Sequence, residues 1–215
     1  MPASPPQGRF LTFEGMDGCG KTTQLRLLAQ HLRESGREVV ETVEPGGTEI
    51  GRQIRRILLD PANTAIHART ELLLYFASRA QNVEEVIRPA LAEGSIVLCD
   101  RFTDSTLVYQ GCGRGLGADT VRTLDRIACR GLVPDLTLIV DIDLDTSLAR
   151  ARVRNQVTAS SETRMDEQSL EFHRKVRDAY QELAAQEPGR IRLVEGSADV
   201  ESIARNIWDI VSAHV

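Results

Sequence analysis

The sequence predicts an α/β fold, a five-stranded parallel sheet flanked by helices with a mobile lid. Five short apolar runs, FLTF (10–13), VVETV (39–43), IVLC (96–99), LTLIV (136–140) and IRLV (191–194), read as buried strands. Helical patterns lie between them at about 21–35, 49–59, 69–93, 119–130, 145–154, 165–186 and 199–213. Strands that alternate with helices form a parallel sheet covered on both faces. The chain has 215 residues, which suits one domain with a sizeable core.

From the N-terminus, MPASPPQG has neither a basic segment nor an apolar one, so residues 1–8 read as a short disordered leader rather than a signal peptide. Residues 9–215 then form the single domain. Gly36, Gly94 and Gly131 sit where helices should close. RVRNQVTASSETR (152–164) is polar and its middle lacks periodicity, so a lid is expected over about 152–166. Cys19, Cys99, Cys112 and Cys129 are scattered, which suits a reducing cytoplasm better than a disulfide or zinc framework. No apolar run approaches the roughly 20 residues of a membrane span. The net charge of −5 argues against a nucleic-acid partner.

The first strand runs into FEGMDGCGKTTQL (13–25), and Lys21 is one of only two lysines in the chain. Gly15-x-x-x-x-Gly20-Lys21-Thr22 is a P-loop pattern in its required place, after a strand and opening a helix. The fold is therefore expected to be of the P-loop NTPase type. Gly15, Met16, Asp17, Gly18, Cys19, Gly20, Lys21, Thr22 and Thr23 are the candidate ATP-binding residues. Backbone N–H groups of such a loop turn inward around phosphate oxygens, and the helix start adds its free N–H groups and positive dipole end. Lys21 reaches the outer phosphates, and the Thr22 hydroxyl is placed to hold Mg²⁺. Asp100 ends the third strand, at the sheet edge where ligands bind, and is the second candidate for the metal.

A switch GTPase would carry N-K-x-D, and no such tetrapeptide occurs. Two alternatives stay open from the residues alone: another P-loop nucleoside or nucleotide kinase, and a non-catalytic nucleotide-binding module.

FEGMDGCGKTTQ, EPGGTEIGRQIR, LLLYFASRAQ, DRFTDSTLVYQGCGRGL and RMDEQSLEFHRKVRDAYQELA occur in this order over most of residues 10–186. Together they resemble the bacterial thymidylate kinases. The resemblance implies Mg²⁺-dependent transfer of the γ-phosphoryl group of ATP to dTMP, giving dTDP and ADP, by a homodimer. It implies that Phe76 stacks on thymine and Arg79 donates to O4; the two are three apart on a helix and share a face. Arg55 and Arg101 would clamp the dTMP phosphate through planar forks, with Arg52 and Arg56 as neighbouring alternatives to Arg55. Asp17 would accept from the 3′-hydroxyl, Tyr109 would pack where a 2′-hydroxyl would sit, and Ser105 and Gln110 are base or sugar contacts. Glu44 would shape the acceptor pocket.

One branch of the family carries an arginine directly after the P-loop aspartate; here that place is Gly18. The resemblance is thus to the branch in which lid arginines close over the phosphates. Arg164 fits that motif best. In SLARARVR (147–154), Arg150 and Arg154 share a helix face while Arg152 points elsewhere. The acceptor phosphate is already ionised, so alignment and charge neutralisation by Lys21, Arg101, Arg164, Arg154 and Arg150 are the expected catalytic contributions. The adenine is expected near VEGSAD (194–199).

Overall fold

The computed structural model describes residues 8–158 and 162–215. Among these residues, five strands form one parallel sheet: β1 (Arg9–Glu14), β2 (Val39–Val43), β3 (Ile96–Asp100), β4 (Leu136–Asp141) and β5 (Ile191–Glu195). Their order is β2-β3-β1-β4-β5. β1 is central and pairs with β3 (Phe13 opposite Asp100) and with β4 (Phe13 opposite Leu138). Because every strand runs the same way, Glu14, Val43 and Asp100 finish along one edge. That edge is where an open α/β sheet leaves its crevice.

The helices explain why both sheet faces are apolar. α1 (Lys21–Glu34) buries Leu25, Leu28, Ala29 and Leu32 at helical spacing. They meet Leu11, Phe13 and Leu98 of the sheet, and Ile203, Ile207 and Val211 of α9 (Val200–Val211). On the opposite face, Phe10, Val97 and Cys99 meet Leu72 and Phe76 of α3 (Ala68–Asn82). α2 (Glu49–Leu59) is opened by Thr48, whose hydroxyl accepts from Gly51 N at 2.9 Å.

Several expected boundaries shift. The helix expected over 69–93 is α3, then a π-helical turn over Val83–Ile87, then α4 (Arg88–Ala92). Residues 103–113, given no helix from sequence, form α5 (Thr103–Thr106) and a π-helical turn over Leu107–Gly113. The glycines of GCGRG masked any periodicity. α6 (Ala118–Cys129) follows. The polar stretch placed in the lid is helical at first: α7 (Leu144–Thr158) runs past Arg152 and Arg154. α8 (Leu170–Gln186) begins behind its cap Ser169, not at 165. Residues 159–161 of the expected lid and 1–7 of the expected leader lie outside the described residues. Gly8, also placed in that leader, is packed: a Cβ built on it would lie 2.7 Å from the Leu91 Cα and the Ser95 carbonyl. Among the described residues, no helix is long and apolar enough to cross a membrane.

Candidate active site

The loop between β1 and α1 stands at the sheet's carboxyl edge. Gly18 takes φ 83°, and a Cβ there would come 2.3 Å from the Ser147 carbonyl and 3.2 Å from the Arg150 Cβ. The backbone of α7 therefore rests on the loop, and only glycine admits that approach. Ser147 reinforces it by donating to the Asp17 carbonyl at 2.6 Å. Lys21 is buried, and its Nζ donates to the Met16 carbonyl at 2.9 Å. Met16 and Cys19 turn their side chains into the core, which leaves the backbone of the loop to face an anion.

The two candidate metal-binding residues meet. Thr22 Oγ1 donates to Asp100 Oδ2 at 2.6 Å, which joins the first turn of α1 to the end of β3. A hydroxyl and a carboxylate suit a hard cation that takes its other oxygens from phosphate and water. Among the described residues, no cluster of three or more His, Cys, Asp or Glu gathers for a metal ion.

A cavity of about 580 Å³ opens beside this pair. Asp17, Lys21, Thr22, Arg55, Arg79, Asp100, Arg101, Ser105, Tyr109, Gln110 and Arg154 all line it, so most of the expected site residues are brought together. Arg101 lies just past β3 in the left-handed region, at φ 71°, a conformation that costs a non-glycine residue about 1–3 kcal/mol. That backbone aims its guanidinium across the cavity. Nη2 donates to Asp17 Oδ1 at 2.9 Å, and Nη1 to Ser105 Oγ at 3.0 Å and Tyr180 Oη at 3.3 Å. The guanidinium carbon also stands 5.1 Å from the centre of the Tyr109 ring. Burial alone would raise the Asp17 pKa, but the charges of Arg101, Lys21 and Arg154 hold it well below the usual carboxylate range. Arg55 is gripped by Glu162, through Nε at 2.9 Å and Nη2 at 2.8 Å, and by the Pro45 carbonyl at 2.8 Å.

Arg79 is 1% exposed. Its Nε donates to Glu44 at 2.5 Å and its Nη2 to Thr106 at 2.9 Å. Its Nη1 is buried with no hydrogen-bond partner among the described residues, a donor left over on a residue that lines the cavity. Glu44 also lines the cavity and accepts from Arg79 and Asn82.

Three expected placements are corrected. Phe76 does not line the cavity. Its ring packs with Leu72, Val97 and Phe102 in the core, 4.9 Å from the Arg79 guanidinium. The aromatic residue that α3 puts on the cavity wall is Tyr75, four residues before Arg79, which sequence reasoning passed over. Both i,i+3 and i,i+4 spacings share a helix face, so spacing could not choose between them.

Arg164 points inward. Its Nε donates to the Leu58 carbonyl and its Nη2 pairs with Glu71 at 2.7 Å, so it is a buried tether of its segment and does not line the cavity. Arg150 is exposed, beside the loop but off the cavity wall; Arg154 lies on the wall and pairs with Asp166 at 2.9 Å.

Glu14 was also missed. Wholly buried at the end of β1, it accepts from Phe102 N at 2.7 Å, from Tyr180 Oη at 2.9 Å and from the Ser105 hydroxyl. Burial and the nearby Asp104 charge push its pKa up to about 7. A glutamate just before the glycine loop was the only signal in the sequence.

The family model for thymidylate kinase matches residues 13–207. A protein named thymidylate kinase from Trichlorobacter lovleyi is 51% identical over 203 residues, covering 94% of this chain and 96% of the relative. One of the same name from Pelobacter propionicus is 53% identical over 201 residues, 93% of this chain and 92% of the relative. The crystal structure of thymidylate kinase from Ehrlichia chaffeensis superposes with a TM-score of 0.78 at 31% identity, over 96% of this chain and all of that one. With that sheet order, phosphate loop and arginine-lined cavity, the chain belongs to the thymidylate kinase family.

Proposed function

We propose that the cavity between the phosphate loop and α3 is where this enzyme transfers the γ-phosphoryl group of ATP to dTMP, giving dTDP and ADP. The observation that carries this reading is the meeting of Thr22 and Asp100 at 2.6 Å, with Arg101 next in the chain and on the wall of the same cavity. It brings a phosphate-loop hydroxyl and a strand-end carboxylate together on the wall of a cavity that a guanidinium also lines.

In this reading the loop N–H groups and Lys21 hold the donor phosphates. Arg101 and Arg55 hold the acceptor phosphate, and to do so they exchange their contacts with Asp17 and Glu162. Tyr75 offers its ring to the base, and the spare Arg79 Nη1 donates to a base carbonyl. Tyr109 and Asp17 take the sugar. Thr22 and Asp100 would hold Mg²⁺, which when bound neutralises charge on the donor phosphates. The acceptor oxygen needs no general base, so these residues act by aligning two anions and offsetting their repulsion. The adenine lies by the turn after β5, where Gly196 N donates to the Asp141 carbonyl at 2.7 Å.

A homodimer is supported by apolar side chains left outward on α2 and α3: Ile50, Ile57 and Leu73 are 49%, 47% and 56% exposed. The four free thiols fit a cytoplasmic setting. The lid assigned to about 152–166 belongs to the same proposal, with Arg154 as its cationic contribution to the cavity.

An ADP-release assay with dTMP, dUMP, dCMP, dGMP and thymidine tests the substrate. dTMP is expected to be turned over fastest; thymidine or dGMP running severalfold ahead would overturn the reading.

A further inference from the structure

Glu71 lies in the first turn of α3, one helical turn before Tyr75, is 1% exposed, and is absent from the cavity wall. Three hydrogen bonds and an ion pair converge on it. Gln110 Nε2 reaches Oε1 at 2.8 Å, and Arg114 reaches Oε1 through Nε and Oε2 through Nη2, both at 3.1 Å. Arg164 Nη2 lies 2.7 Å from Oε2. Burial raises the Glu71 pKa, but the bonds from Arg114 and Gln110, the Arg114 charge and the bond from Arg164 outweigh it and keep the carboxyl below its usual range.

An ionised carboxylate only accepts hydrogen bonds. Gln110 must therefore give Glu71 its amide nitrogen, which leaves the amide carbonyl as the end it can offer to a ligand in the cavity it lines. A glutamine without such a partner presents either end.

A second arm runs to the segment before α8. Arg114 Nη1 donates to Gln168 Oε1 at 2.6 Å, and Gln168 Nε2 donates to the Arg164 carbonyl at 2.8 Å. With Arg164 on Glu71 the ring closes, and between Arg164 and Gln168 stand Met165 and Asp166, both on the cavity wall.

We propose that Glu71, touching neither nucleotide, is a positioning residue for the acceptor base, holding the Gln110 carbonyl towards a ring N–H and the Met165–Asp166 wall in place. The base it selects has an imide edge, with N–H beside carbonyl. A cytosine-type edge would set its unprotonated ring nitrogen against the Gln110 carbonyl, acceptor against acceptor. This rests on the dTMP reading of the cavity.

The test compares wild type with Glu71→Gln, using dTMP and dCMP as acceptors. The neutral amide introduced by Glu71→Gln can donate as well as accept, so Gln110 is free to turn. In Glu71→Gln the KM for dTMP should rise about tenfold and the dTMP-to-dCMP ratio of kcat/KM should fall about tenfold, with the KM for ATP changed by less than about twofold. In a Gln110→Ala background, Glu71→Gln should move that ratio by less than about twofold, because its effect passes through Gln110.

A folded Glu71→Gln enzyme with unchanged dTMP KM and unchanged ratio would overturn the proposal. So would equal losses towards ATP and dTMP, which a purely structural role predicts. If Glu71→Gln does not fold, Glu71→Asp, which keeps the charge but withdraws it by one methylene, is read by the same dTMP and ATP constants. A wild-type enzyme that prefers dCMP would strike instead at the substrate reading beneath.

Discussion

Glu14 shows how far one buried group sets the behaviour of its surroundings. Its carboxyl titrates near 7 when folded against an ordinary value of 4.5. Between those values the folded state holds a proton that the unfolded state has lost, so stability falls as pH rises from about 5 to 7 and levels off above. The slope from this group is at most about 1.4 kcal/mol per pH unit. Glu14→Gln, which cannot ionise, should abolish that share. Denaturant melts should show the variant gaining on wild type as pH rises; a constant difference from pH 5 to 7.5 would refute the assignment.

The aromatic pair gives a sharper contrast at the same scale. Tyr75→Ala should weaken dTMP binding by about 1–3 kcal/mol, the range for a lost stacking ring, and leave the fold largely intact. Phe76→Ala should cost about 3–5 kcal/mol of stability through a core cavity, with little change in dTMP KM. Kinetics and thermal melts on the two variants decide between them, and the opposite pattern would return the base to Phe76. The sequence could not separate the two because both share the Arg79 face of α3. What separates them is packing against Val97 and Phe102, residues distant in the chain. Arg164 was illegible for a similar reason: residue type announces a guanidinium but not whether it turns to a phosphate or to a buried Glu71. Lys21 was legible because its place is fixed by the loop spacing itself. Lys21→Ala should lower dTDP formation by about 10²–10³-fold, as loss of a preorganised charge does elsewhere.

Among the elements, the inner strands β1, β3 and β4 were readable nearly to the residue, because a strand covered on both faces must be a largely apolar run. The π-helical turn over Leu107–Gly113 was not, because its glycines hide any pattern and its register comes from tertiary contacts. It closes with Arg114 N donating to the Tyr109 carbonyl at 2.9 Å, which sets Tyr109 and Gln110 side by side on the cavity. Gly113 is where this turn meets α8: a Cβ there would sit 2.6 Å from the Phe172 ring. Gly113→Ala should therefore cost about 1–3 kcal/mol of stability by overpacking. Since Phe172 faces both Tyr109 and Arg114, the dTMP KM should rise with it. A Gly113→Ala protein as stable as wild type would show that the two elements are looser than their packing implies.

For the whole molecule, the parallel sheet accounts for where chemistry gathers. Glu14, Asp100 and the turn at Glu44 come from three neighbouring strands, and their common direction delivers them to one edge. The helices that cover the sheet then supply Lys21, Arg79 and Tyr180 from both faces. This much follows from element order, which the sequence displayed; which side chains turn inward does not. Ile50 and Ile57 are left outward on α2, and Ile57→Glu should convert the proposed dimer to monomer in sedimentation. A dimer unchanged by that substitution would place the contact elsewhere.

In the proposed reading, two phosphates meet between the loop at Lys21 and the guanidinium of Arg101. A crystal structure with dTMP and a non-hydrolysable ATP analogue tests it most directly. The dTMP phosphate is expected on Arg101 and Arg55, its base against Tyr75 and Arg79, and the analogue's outermost phosphate on Lys21, facing it in line. A dTMP molecule bound outside that cavity, or one whose base rather than phosphate faces Lys21, would contradict it.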